Sequence, residues 1–256
     1  MSLRMAGLAA LGLGAATLSG APVKTRYQVD QTIEQIMDAS GVGGGTQRQR
    51  FSVSTFVTVT LSDTSGGKTV HAVIDSMRAD TATPVAPAAL DSVRGTELHG
   101  FVGPGGGLRN VRVLRETSLA PQVQSVLRQL FPAMRPGVKP GDRWTDTTET
   151  GDPAGSAAMT VRRITTYQAQ RDPRAAGGVR VDASFTATVN GTQPTPGGTA
   201  TIRGSGTGTE SYYLAPDGRY LGGNSNQSSR LTVSGEFAPK PVPISLSETM
   251  TVRELR

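Results

Sequence analysis

Phe51, Val53, Thr55, Val57, Val59 and Leu61 occupy every second position of one segment, with Ser52, Ser54, Thr58 and Thr60 between them. A period of two sends one set to a buried face and the other to water, the signature of a half-buried strand. The same alternation begins at Tyr27, Val29 and Gln31 and continues through Ile33 to Met37. Gly41 to Gly45 reads as a flexible connection. Ser65-Gly66-Gly67 closes a hairpin onto a strand from Thr69 to Asp80. There Val70, Ala72 and Ile74 cannot share one alternating face with Val73, which predicts a bulge or a strand buried on both faces. Residues 81–90, with Pro84 and Pro87, read as a loop or cover segment. Gly95–Val102 and Leu108–Glu116 form a second hairpin across the glycine-rich residues 103–107.

One segment has a different period. Leu119, Val123, Val126, Leu127, Leu130 and Met134 recur at helical spacing and make a single apolar stripe. Ser118 is placed to cap this helix, Pro121 suits its first turn, and Pro132 and Pro136 stop it. The predicted helix spans residues 118–131 and must bury its stripe against the sheet or a ligand. Strands then resume at Trp144, with segments at 144–150, 157–170, 178–190, 199–215, 220–235 and 244–255. Asp217-Gly218 is a hairpin signal, and Asn190-Gly191 is read as opening a longer loop that ends at Gly197-Gly198.

The fold class expected is mainly β: a strongly curved antiparallel sheet, a half-barrel of about eleven strands, with one amphipathic helix packed on it. An internal duplication is suggested by Phe101-Val-Gly-Pro104 and Tyr213-Leu-Ala-Pro216, where an aromatic strand end meets Pro-x-Gly and a new strand begins. The half-repeats run about 26–116 and 143–235, within one β domain over 22–256. Whether the halves share one sheet or pack as two is open at this point.

Composition adds a compartment. The 32 glycines and 16 prolines among 256 residues suit many short strands joined by tight turns. Residues 1–21 open with Arg4 in a short positive region, followed by an Ala, Leu, Gly and Met run from Met5 to Leu18. That length fits an export signal and is too short for a spanning helix. Leu18-Ser19-Gly20-Ala21 has the form of a lipoprotein processing box with Ala21 where a cysteine would be lipidated. A signal peptide or retained N-terminal anchor is expected, hence export to the periplasm or outer envelope. No cysteine exists in the chain, which removes disulfides and thiolate metal sites.

Candidate chemistry is sparse. His71 and His99 are the only histidines, 28 positions apart, without neighbouring ligands in the sequence, so no metal site, cofactor or catalytic residue is expected. Asp63-Thr64-Ser65-Gly66 reads as a hairpin turn, and Gly103–Gly107 lacks the following helix a phosphate site needs. Gly204-Ser-Gly-Thr-Gly208 marks a bend, or space left for the helix or a ligand. The net charge is +6, and Arg162, Arg163, Arg171, Arg174 and Arg180 fall across one predicted hairpin. With few aromatics to stack bases, nucleic acid is not expected as a partner. An anionic membrane surface meeting the Arg162–Arg180 region is, and a solvated arginine-rich surface is the alternative.

Val138-Lys-Pro-Gly-Asp-Arg-Trp144, lying between the helix and the second set of strands, resembles a V-K-x-G-D-x-W segment of uncharacterised bacterial exported and lipoprotein-like proteins. Together with the strand count, the chain is similar to the half-barrels of the lipoprotein-carrier superfamily. That resemblance implies a concave apolar face covered by helix and able to accept acyl chains. It carries no catalytic residues. The expected role is a non-catalytic envelope protein binding or carrying a lipid or acyl chain. Cavity candidates are Phe51, Val53, Val57 and Ile74, with Val123, Leu127 and Leu130 on the helical lid. The alternatives are a structural or assembly protein of the envelope, a hydrolase with an unrecognised site, and a transmembrane barrel.

Overall fold

The computed structural model describes residues 21–255 except positions 84, 116, 133, 136, 152–157, 173–176, 196–197 and 236–237. The expected signal peptide or anchor, residues 1–21, lies apart from Ala21 outside the described residues. Eleven strands form one antiparallel sheet: β1 (Val23–Asp38), β2 (Thr46–Thr64), β3 (Gly67–Ala79), β4 (Glu97–Gly103), β5 (Gly106–Val113), β6 (Arg143–Gly151), β7 (Met159–Arg171), β8 (Val179–Thr195), β9 (Gly198–Leu214), β10 (Tyr220–Gly235) and β11 (Ala238–Leu255). Their spatial order is β5-β4-β3-β2-β1-β11-β10-β9-β8-β7-β6. Each half is a meander, and β1 pairs with β11 to join them. The halves thus share one sheet, left open at β5 and β6, in agreement with the expected curved half-barrel.

Alternation decides the faces. Tyr27 and Val29 on β1, Val57 and Val59 on β2, and Val70, Ala72 and Ile74 on β3 are buried on the inner face. Val73 points outward. The conflict it creates is resolved by a bulge: Val57 pairs with Ile74 and Phe56 with Ser76, so Asp75 is the extra residue. The phase then shifts and Met77 returns to the core. On the outer side Asp75 accepts from Arg26 Nε at 2.8 Å and from the Thr58 hydroxyl at 3.0 Å. The outer face of the other half is polar, with Ser184, Thr186 and Thr188 on β8, Thr207 and Thr209 on β9, and Asn224 and Asn226 on β10.

Among the described residues two short α-helices, α1 (Pro87–Ser92) and α2 (Ala120–Gln129), pack on the inner face, and Ser40–Val42 makes one 3-10 turn. α1 was not expected; it lies in the segment read as a loop. α2 carries the expected stripe, with Val123, Val126 and Leu127 buried, and Leu130 buried just beyond its last turn. Ser118 does not cap it. The capping position is Leu119, which makes no side-chain cap bond. Full burial of each such aliphatic side chain contributes about 1.5–3 kcal/mol before entropy. The core is consequently centred between α2 and strands β1–β5 and reaches across to Tyr220 and Val252.

The Asn190-Gly191 loop is not formed. β8 and β9 stay paired as far as Thr195 and Gly198, and Gly191 sits within the ladder opposite Ile202. A Cβ on Gly191 would stand 2.4 Å from the Ala158 carbonyl oxygen. This glycine allows β7 to approach; it does not turn the chain.

Candidate functional site

A cleft of about 550 Å³ opens at one end of the seam between helix and sheet. Its floor is Tyr27 and Val59, one wall is Val102 with Pro104 and Gly105, and Leu130, Phe131 and Met134 descend from the end of α2. The far side is the β9–β10 turn, Leu214 to Gly218, together with Tyr220. Apolar groups dominate, and the charged ones are Arg135, Lys139 and Asp217.

The floor is a tyrosine pair. The Tyr27 hydroxyl donates to the Tyr220 carbonyl oxygen at 2.7 Å, and the rings stack with centroids 6.2 Å apart. Space for Tyr220 comes from Gly223, whose Cβ would lie 2.8 Å from the Tyr220 hydroxyl. Burial pushes the Tyr27 phenol up to about 12 and raises Tyr220 as well. Both stay neutral at ordinary pH, and the floor is uncharged.

The segment from Val138 to Trp144 forms the rim. Val138, Lys139 and Pro140 line the cleft. The Lys139 N–H donates to the Asp142 carboxylate at 2.9 Å, and Gly141 adopts φ +101°. The Gly141 N–H donates to the Ala169 carbonyl, and the Ala169 N–H returns to Asp142, each at 2.9 Å. Trp144 stacks on Tyr167 at 4.7 Å. These contacts pin the turn to β7 and hold the rim in place. Met134 N–H to the Gly105 carbonyl, 2.8 Å, ties the other side to the β4–β5 turn.

Of the seven candidates named from the sequence, only Leu130 lines this cleft. Val57, Ile74, Val123 and Leu127 are fully buried in the filled core between α2 and the sheet. Val53 packs at the margin of that core, and Phe51, half-buried, stands opposite Ile33 further along β1 and β2. The tyrosines, the Met134 region and the β9–β10 turn were missed. Their signal was the Pro-x-Gly turn in each half, since both turns border the cleft.

Other features also differ from expectation. Gly204, Gly206 and Gly208 leave no vacant space: Leu231, Ser229 and Phe185 fill the positions their Cβ atoms would take. The described arginines of the 162–180 region are placed differently from one another. Alternation puts Arg162 outward and Arg163 inward, where Arg163 pairs with Glu210 at 2.6 Å and lies over the Phe185 ring. Arg180 is held by Asp182 at 2.8 Å, and Arg174 is outside the described residues. The two histidines, expected to be isolated, are cross-strand partners on β3 and β4. His71 Nε2 lies 2.9 Å from Glu97 Oε2. The strand register, invisible in the sequence, brings them together.

No protein-family model and no curated protein matches the chain. Among solved structures it is similar to Pseudomonas aeruginosa OccK2 (OpdF), at 8% identity and TM-score 0.21 over 91% of this chain and 97% of that one. The same protein in complex with glucuronate gives 6% identity and TM-score 0.23, over 91% and 98% of the two chains. A mutant of Rh. blastica porin gives 8% and 0.23, over 92% and 100%. Overlaps this loose carry no inference about architecture or role. A membrane barrel presents an apolar band outward, whereas this outer face carries Ser, Thr, Asn and Arg.

Proposed function

We propose that this protein is a non-catalytic carrier or receptor for a lipid or acyl chain in the bacterial envelope, exported by its N-terminal segment. The observation that supports the reading is the cleft. Its volume falls within the range of small-molecule sites, and an apolar lining with a few polar groups at the rim is their usual make-up. Arg135 and Lys139 outnumber Asp217 among the charged groups of the lining, so an anionic amphiphile fits better than a neutral one. The alternative, a structural protein of the envelope without a small ligand, draws on the free sheet edges at β5 and β6.

Native mass spectrometry with lipid extraction on protein purified from bacterial membranes tests the reading. A stoichiometric lipid is expected, together with saturable uptake of a fluorescent fatty acid. Leu61→Arg and Met134→Glu change half-buried cleft residues and should abolish both while leaving the fold intact. A clean apo mass with no saturable uptake would favour the structural alternative.

A further inference from the structure

Three ligating side chains meet on the outer face of the sheet, away from the cleft. β3 and β4 pair with His71 directly opposite His99, and the two rings meet edge to face with centroids 4.8 Å apart. Glu97 precedes His99 by two residues and so projects from the same face of β4. One donor atom from each of His71, Glu97 and His99 lies within 4.8 Å of the other two. We propose that these three residues form a binding site for a zinc-class divalent cation.

The donor set fits that chemistry. Imidazole nitrogen and carboxylate oxygen both bind Zn²⁺ at about 2.0–2.2 Å, so donors around a tetrahedral ion stand roughly 3.4 Å apart. Closing the observed spread needs side-chain rotation and no backbone shift, because register already sets the three Cα positions. His71 and Glu97 are 42% and 49% exposed, free to rotate. Coordination would replace the present His71–Glu97 contact. Two imidazoles select zinc, copper or nickel over Mg²⁺ and Ca²⁺, which prefer oxygen. Three protein donors leave a fourth position for water. Arg112, the register partner of His99 on β5, adds a positive charge to the same face and weakens the site without blocking it. A bound ion would tie β3 to β4 beside the sheet's open edge.

Isothermal titration of the untagged full chain with Zn²⁺, and with Mg²⁺ as the control, tests the proposal. One Zn²⁺ per chain and no heat with Mg²⁺ are expected. His99→Ala and Glu97→Gln, both at exposed positions, should each weaken binding at least ~10-fold with an unchanged circular dichroism spectrum. Co²⁺ should give visible absorption bands that His99→Ala removes. Absence of saturable Zn²⁺ uptake, or equal uptake by wild type and both variants, would overturn the assignment. Fatty acid uptake at the cleft is a separate readout, so failure here leaves the carrier reading standing.

Discussion

Tyr27 shows how much a single side chain carries here. Its hydroxyl is buried and satisfied by one acceptor, the Tyr220 carbonyl, while its ring floors the cleft. Tyr27→Phe removes the donor and leaves that carbonyl without its partner, at a cost of about 1–2 kcal/mol, readable as a lowered urea midpoint. The phenol also links stability to alkaline pH. Its ordinary value of 10.0 rises to about 12 in the fold, so between these the folded chain holds a proton that the unfolded chain has released. The contribution of this phenol is therefore full below pH 10 and is lost as pH rises through 12. Tyr27→Phe should make the loss over this window shallower. A denaturation series in which wild type and variant lose stability in parallel above pH 10 would count against the buried neutral phenol. Nothing in the sequence around Tyr27 distinguishes it from other strand residues, because its partner is 193 positions away.

At the scale of elements, local patterns are legible where the chain decides its own geometry. The stripe of α2 stands out because helical spacing repeats within one short segment, and the β3 bulge follows from the clash of phase at Val73. Capping was not legible, since the chain enters α2 at Leu119 and Ser118 makes no cap bond. Asn190-Gly191 misled for a related reason: glycine serves turns and close approaches alike, and only the neighbouring strand tells which. Leu127→Ala tests the weight of the helix–sheet core. Leu127 is fully buried, and the cavity left behind should cost about 2–5 kcal/mol, measured by chemical denaturation. A loss below about 1 kcal/mol would mean that α2 packs loosely and can move as a lid.

For the whole molecule, the decisive contact is between the ends of the described chain. β11 lies between β1 and β10, pairing with β10 over nearly its full length and with β1 from Ile244 to Leu255. Ending the chain after Ser234 should strip two long strands of a ladder partner and leave their N–H and C=O groups open. The expected result is loss of the cooperative thermal transition and aggregation on heating. A truncated chain that still melts cooperatively would show that the two meanders fold independently.

The sequence by itself determined the strands, the single apolar helical stripe, the open turns at Pro104 and Pro216, and the polar outer face, because each follows from periodicity and residue chemistry within a few positions. Tertiary structure alone decided that the halves share one sheet, that six of the seven candidate residues lie away from the cleft, and that Tyr27 meets Tyr220. It alone set His71 against His99. These depend on register between segments distant in the chain, and register is set by the summed packing of a whole face, which no short stretch of sequence contains.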